Sequence, residues 1–222
     1  MKLLTVKQAR SIWLTYLIDL NPRGLDLLAL IPIIRDKYRF LELSPTIDKI
    51  NKETKEVKFG LGNLQKNKLS IGVDLSIYND GLIADTRSST NDSDAFLDEF
   101  LNWVSTEFGF MPYQEVLRTK LYISELVVQT EKSLNTLNPK LVKFAKHLNS
   151  LILGHEHQPI AFQTTGILFW TDPTAGNNPP GPFRFERLID TPFRENRYYS
   201  AAPLQTEVHY GMLEELENIL SS

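Results

Sequence analysis

Hydrophobic and polar residues alternate most strictly between positions 69 and 86. Apolar side chains occupy every second position of the first part, at Leu69, Ile71, Val73, Leu75 and Ile77. A period of two predicts a strand with one face in a core. Residues 79–81 (Asn-Asp-Gly) follow, and these residue types tolerate the positive φ of a tight turn. The pattern therefore predicts a two-stranded hairpin with one buried face.

The first 37 residues have the apolar spacing of two helices. In the first of them, apolar residues recur every three or four positions, at Ala9, Ile12, Trp13, Tyr16, Leu17 and Leu20. With Thr5 as the N-cap, this spacing predicts a helix that residues 21–24 (Asn-Pro-Arg-Gly) end. A second helix is predicted over residues 26–37, with Pro32 either kinking it or moving its start. Helices this apolar must cover either the sheet of the same chain or a partner chain.

The rest of the chain continues this mixture of strands and helices. Further strands are predicted at residues 38–43, 57–61, 121–130, 160–171, 183–189 and 197–201, and further helices near residues 94–108, 139–152 and 206–220. Short, turn-forming connections between several strands favour antiparallel pairing. We predict a single α+β domain over residues 1–222, with a mostly antiparallel sheet and about five packed helices. Residues 1–37 form its helical N-terminal segment, and residues 38–222 form the sheet with its helices.

The helix predicted after Asn138 and Pro139 has a clear division between apolar and basic sides. Its apolar positions are Leu141, Phe144, Ala145, Leu148, Leu151 and Ile152, and its lysines are Lys140, Lys143 and Lys146. We expect the apolar side to face the core and the lysines to lie outside.

Charge is unevenly distributed along a chain whose net charge is -3. Residues 1–68 hold 13 Lys and Arg against 7 Asp and Glu, whereas residues 69–131 hold 3 against 11. Two interpretations remain open: the two segments lie beside each other in one fold, or they form complementary faces that meet between subunits or attract a polyanion. The negative net charge does not favour nucleic acid as a partner.

Composition also bears on compartment and chemistry. The chain contains no cysteine, which excludes disulfides, thiol nucleophiles and cysteine-bound zinc. No apolar run reaches the roughly 20 residues of a membrane helix, and the N-terminus lacks a small-residue cleavage site. We therefore expect a cytoplasmic protein without membrane association.

One acidic residue in the central hairpin and one in a later strand suggest metal chemistry. Asp74 lies on the face opposite the apolar row, and Glu125 stands between apolar residues in the strand predicted at 121–130. The hairpin resembles the first hairpin of the ribonuclease H-like superfamily, which includes Holliday junction resolvases. The resemblance implies that Asp74 and Glu125 bind a catalytic Mg²⁺ for phosphodiester cleavage. The alternative is that both are solvent-facing residues of half-buried strands.

Two other segments are weaker candidates. His155 and His157 share a face if residues 155–157 are extended, which suits zinc, but an exposed loop is the simpler interpretation. Residues 172–182 are rich in proline and glycine and predict a long loop, either disordered or used in binding. The spacing of the two histidines matches no recognised metal-binding motif, so we predict no metal site there.

Arginine and aromatic residues are interleaved between positions 183 and 199. The candidate binding residues are Arg184, Arg187, Arg194, Arg197, Tyr198 and Tyr199. Such a mixture is enriched at protein interfaces and can also bind phosphates and stack bases. Three nearby acidic residues, Glu186, Asp190 and Glu195, nearly cancel the charge. This balance favours a protein interface over a polyanion site, and ion pairs within the chain are the simpler account.

The leading hypothesis is therefore a non-enzymatic interaction or assembly protein that has no cofactor. It would associate with itself or bind a protein partner through the first two helices and the arginine-aromatic segment. The alternative hypothesis is an Mg²⁺-dependent nuclease that uses Asp74 and Glu125.

Overall fold

The computed structural model describes residues 1–45, 56–66, 68–152, 162–172, 174 and 179–221. Its strands are β1 (Lys2–Leu14), β2 (Glu42–Ser44), β3 (Glu56–Lys66), β4 (Leu69–Tyr78), β5 (Gly81–Thr86), β6 (Thr119–Gln129), β7 (Gly166–Phe169), β8 (Phe183–Arg187) and β9 (Arg197–Ala202). Its α-helices are α1 (Leu17–Leu20), α2 (Leu27–Tyr38), α3 (Thr90–Phe108), α4 (Tyr113–Val116), α5 (Pro139–Leu151) and α6 (Thr206–Ser221). Strands β2-β3-β4-β5-β1 are neighbours in that order, and so are strands β6-β9-β8-β7. The predicted α+β fold with a mostly antiparallel sheet is confirmed.

The chain forms two compact units. The N-terminal unit contains residues 6–124 and 203–206, and the C-terminal unit contains residues 1–5, 125–202 and 207–222. The order of elements is similar in both, because each has a strand, a helix, a run of antiparallel strands and a long helix. These elements are β1, α2, β2 to β5 and α3 in one path, and β6, α5, β7 to β9 and α6 in the other. Helices α2 and α5 therefore occupy corresponding places in the chain path.

The predicted hairpin lies in the core of the N-terminal unit. Strands β4 and β5 pair antiparallel around a two-residue turn at residues 79 and 80. Of the predicted apolar row, Val73 and Leu75 are buried, Ile71 and Ile77 are half-buried, and Leu69 at the start of β4 is 67% exposed. Helix α3 packs on this hairpin, with Phe96 and Leu97 fully buried. The Ser89 hydroxyl accepts the Asp92 N–H at the start of α3, and Gly109 adopts a left-handed conformation at its end.

The helix predicted from Thr5 to Leu20 is wrong over most of its length, because Lys2–Leu14 form strand β1 and only Leu17–Leu20 are helical, as α1. The predicted helical segment 1–37 is therefore a strand followed by helices. The buried face of β1 in the N-terminal unit is Ala9, Ser11 and Trp13. Ser11 is polar, so the alternation does not appear as a hydrophobic pattern, and Ile12 on the other face adds to a false helical period. The Ser11 hydroxyl is satisfied by donating to the Thr90 carbonyl at 3.2 Å. A buried polar residue thus concealed the strand period.

The second predicted helix is confirmed as α2, which Asp26 caps by accepting the Leu28 N–H at 3.0 Å. Pro32 lies inside α2 without delaying its start. Leu30 and Ile31 are buried in their own unit, so this helix covers its own sheet. The first predicted strand is shorter than expected, since α2 continues to Tyr38 and β2 begins only at Glu42. None of the helices in the described ranges is long and apolar enough to cross a membrane.

Candidate functional site

The arginine-aromatic segment is divided between buried and exposed residues. Arg187 is only 8% exposed and Tyr198 is fully buried. The Arg187 guanidinium donates to the Phe193 carbonyl at 2.7 Å and to the Ser133 hydroxyl at 3.1 Å. Its central carbon lies 5.2 Å from the centre of the Tyr198 ring. These contacts use Arg187 and Tyr198 to hold the C-terminal unit together.

The other three arginines of this segment are exposed. Arg197 forms an ion pair with Glu195 at 3.1 Å, and Arg184 lies 3.9 Å from Glu186. Arg194 lines an open groove in the C-terminal unit. Pairs this exposed contribute little stability because water and salt screen them. The pairing agrees with the charge balance seen in the sequence and leaves these side chains accessible.

Tyr199 and Glu125 form a pair in the C-terminal unit. Tyr199 is half-buried, and its hydroxyl hydrogen-bonds to the Glu125 carboxylate. Burial and then the negative charge of Glu125 raise the pKa of Tyr199 to about 12. Tyr199 is therefore neutral at physiological pH and can donate its proton in this bond. The Glu125 carboxylate thus has a hydrogen-bond donor within its own unit.

Asp74 has a structural contact in the N-terminal unit. Its carboxylate accepts the Leu61 N–H at 2.7 Å. Leu61 has a positive φ of 56° at the point where the pairing of β3 with β4 shifts register, which is a β-bulge. Asp85 lies opposite Asp74 on β5, and Arg10 binds the Asp85 carboxylate at 2.8 Å and 2.9 Å. Asp74 thus stabilises a bulge with one carboxylate oxygen.

The predicted magnesium pair receives no further ligand among the described residues. Asp74 belongs to the N-terminal unit and Glu125 to the C-terminal unit. Within the part of the chain that the structure describes, no group of three or more His, Asp and Glu residues could hold a metal ion. Residues 155–157 lie outside the described residues, as do residues 173 and 175–178 of the predicted loop. The nuclease hypothesis stays a prediction.

Substitution of Asp74 separates a structural role from a catalytic one. We expect Asp74→Ala to lower the free energy of unfolding by about 1 kcal/mol, because the bulge loses one hydrogen bond. Asp74→Asn keeps an acceptor oxygen and should retain most of that stability. Chemical denaturation measures both changes. Mg²⁺-dependent cleavage of branched DNA by the unmodified chain, lost in Asp74→Asn, would instead support the catalytic role.

Helix α5 carries the largest departure from the predicted burial. It has no buried residue, and the side chains of Phe144 and Leu151 are 64% and 61% exposed. Leu141 and Phe162 are also exposed, and the Phe162 N–H donates to the Asn149 side chain of α5 at 3.0 Å. We call these four apolar side chains, together with the neighbouring lysines at 140, 143 and 146, the α5 surface. Of the six residues expected to face the core, Leu141, Phe144, Leu151 and Ile152 are exposed, and only Ala145 and Leu148 are half-buried.

The comparison of α5 with α2 explains why the apolar spacing of α5 predicted burial that the structure does not show. Both helices are amphipathic and follow the first strand of their chain path. In α2 the apolar residues Leu30, Ile31 and Ile34 are buried, whereas no residue of α5 is. An amphipathic pattern indicates that a face is apolar, but it does not indicate what covers that face. Only the structure shows that residues of α2 are buried while the described part of the chain leaves α5 exposed.

The α5 surface is also basic at its rim. Residues 132–152 contain four lysines and no acidic residue, in a chain whose net charge is -3. Lys140, Lys143 and Lys146 are all exposed. Exposed apolar side chains bordered by charged ones are typical of interaction surfaces. The side chains that this surface presents to solvent are thus apolar and cationic.

Strand β7 adds exposed apolar side chains to the same unit. It is the last strand in the sheet order, and it pairs with β8 on its other side. Leu168, Phe169 and the following Trp170 are exposed. The backbone of a terminal strand offers further hydrogen-bonding groups to a partner. No protein-family model and no curated protein matches this chain.

Proposed function

We propose that this chain is a non-enzymatic interaction protein that self-associates through the α5 surface. The observation that carries the proposal is the exposure of Phe144 and Leu151 on α5, which the described residues leave uncovered, whereas Leu30, Ile31 and Ile34 of the corresponding helix α2 are buried. Burying apolar surface is favourable by roughly 25 cal/mol per Å², so Phe144 and Leu151 provide a driving force for association. The exposed apolar side chains of α5 contribute stability only when a partner buries them.

The partner that we propose is a second copy of the chain, with α5 packed against α5. A twofold dimer uses the same face on both subunits, so an apolar stripe is complementary to itself. Two helices can pack at an interaxial distance of 8–10 Å, which suits the Leu and Phe side chains of this surface. The lysines then lie at the rim of the contact and remain in water.

The sign of the salt dependence tests this arrangement. Lysine rims that face each other repel, and salt screens that repulsion, so the dimer should become tighter as salt rises and the Debye length falls from about 30 Å to about 3 Å. If the basic α5 surface instead binds the acidic segment 69–131 or an acidic partner protein, that contact should become weaker as salt rises. Light scattering at low and high salt therefore distinguishes a twofold α5 contact from an oppositely charged one.

The direct experiment compares two charge substitutions in the C-terminal unit. Phe144→Asp places a carboxylate in the α5 surface, and we expect it to raise the dimer dissociation constant at least about 30-fold, the equivalent of a hot spot of about 2 kcal/mol. Ile189→Asp is the matched control, because Ile189 is 83% exposed and follows β8, outside the α5 surface. Sedimentation or light scattering over a range of protein concentrations measures both.

Two results would contradict the proposal. One is an unmodified chain that stays monomeric at every concentration and salt level. The other is a dimer that Phe144→Asp and Ile189→Asp weaken equally, because the α5 surface would then have no special role. Circular dichroism of both variants verifies that each keeps its helices.

A further inference from the structure

A second feature, independent of the α5 surface, is an apolar pocket inside the N-terminal unit. It has a volume of about 340 Å³. Fifteen of its nineteen lining residues are apolar, and they come from α1, α2, α3 and the neighbouring strands. Ile31 and Phe59 are buried deep in the unit, whereas Leu25 and Leu28 are exposed at the opening. The pocket therefore connects the core of this unit with solvent.

The size of the pocket is compatible with a small ligand. Its opening exposes apolar side chains, and covering such surface with a ligand is favourable. An apolar cavity of about 150 Å³ binds benzene, and the present volume is slightly more than twice that. It also falls at the lower end of the range for small-molecule sites, roughly 300–1,000 Å³. A molecule of roughly twelve non-hydrogen atoms would fill it.

The polar lining residues define the preferred head group. Among the residues that the structure describes, the polar lining consists of Asp26, Glu56, Tyr78 and Asn79, two of which are carboxylates. Glu56 and Tyr78 are cross-strand partners, and the Tyr78 hydroxyl donates to the Glu56 carboxylate. Lys58 lies 3.1 Å from the Glu56 carboxylate but does not line the pocket. A ligand carboxylate would meet negative charge here, whereas an ammonium group would be attracted.

We propose that this pocket binds a small amphiphile with an apolar body and a primary amine. The apolar body replaces solvent against the side chains of α2, β3 and β4, and the ammonium group remains at the opening beside Asp26 and Glu56. The site lies entirely within the N-terminal unit, so the proposal does not depend on self-association. The pocket thus recognises a chemical class of ligand, namely aliphatic or aromatic amines of about ten carbons.

Calorimetric titration of the full chain with three ten-carbon probes tests the proposal. Decylamine, decanol and decanoate share one alkyl chain and differ only in the head group. We expect one decylamine per chain, bound at least tenfold more tightly than decanoate, with decanol between them. Equal affinity for decylamine and decanoate would overturn the assignment of the head group, and the absence of saturable binding by any probe would overturn the site.

Variants of the lining locate the binding. Val57→Trp fills the pocket and should weaken decylamine at least tenfold, with circular dichroism verifying the fold. Asp26→Asn combined with Glu56→Gln should abolish the preference for decylamine over decanoate while leaving decanol binding unchanged. Asn caps helices as well as Asp does, so the double variant keeps the start of α2. It tests the head group independently of Val57→Trp, which tests the apolar part of the pocket. Unchanged decylamine binding in both variants, as in the control Phe144→Asp, would overturn the proposal.

Discussion

Replacing Phe96 with alanine is expected to lower the free energy of unfolding by about 3–5 kcal/mol. Phe96 is 0% exposed in helix α3 and lies among other rings of the N-terminal core. Its ring packs edge-on against Tyr38 at 4.9 Å and parallel to Phe100 at 6.2 Å between ring centres. Alanine would leave a cavity that close-packed neighbours cannot fill without moving. Urea denaturation of the full chain measures the loss.

The same substitution at Phe144 is the matched control, because Phe144 also lies in an amphipathic helix. With the Phe144 side chain mostly in solvent, Phe144→Ala should change the free energy of unfolding by no more than about 0.5 kcal/mol. The measurement requires a protein concentration at which the chain is monomeric, since association would add to apparent stability. Equal losses from Phe96→Ala and Phe144→Ala would show that α5 is covered in solution, contrary to its exposure in the structure.

Replacing Arg187 with alanine is expected to cost about 3 kcal/mol of folding free energy. The substitution removes two charge-assisted hydrogen bonds, to the Phe193 carbonyl and the Ser133 hydroxyl, which join the connection after β8 to the turn after β6. It also removes the guanidinium from the Tyr198 and Phe193 rings and leaves a void. Thermal and urea unfolding of the chain report this loss.

Arg184→Ala provides the comparison for Arg187. Arg184 is exposed, and its nearest acidic neighbour, Glu186, is 3.9 Å away, so its removal should change stability by less than about 0.5 kcal/mol. Arg187→Lys keeps the positive charge but lacks the planar fork, and we expect most of the stability to be lost there too. Full stability of Arg187→Ala would mean that the residue is available to a partner, as the sequence suggests.

Local patterns predicted several elements because all the necessary information lies within a few residues. The hairpin of β4 and β5 combines strict alternation with two turn residues, and α3 has a capping serine at one end and a glycine at the other. The predicted strand at 121–130 corresponds to β6, and the predicted helix after Asn138 corresponds to α5. Each of these predictions relies on the backbone preferences of neighbouring residues.

Predictions of burial were less successful where the contacts involve distant residues. Ser11 is buried because the carbonyl of Thr90, far along the chain, accepts its hydroxyl. Arg187 is buried because Phe193 and Ser133 supply oxygen atoms to its guanidinium group. A buried serine or arginine has the same neighbours in sequence as a solvent-exposed one, so the sequence could not distinguish buried from exposed polar residues.

By itself the sequence determined the class of the fold, the central hairpin and the long helices, since alternation, capping residues and turn residues act over short distances. Only the arrangement in space shows that β1 is a strand, that α2 has buried residues while the described residues leave α5 exposed, and that Arg187 lies in the interior. The physical reason is that burial depends on which distant side chains fill the space beside a residue. The α5 surface and the apolar pocket, on which both functional proposals depend, are visible only at that level.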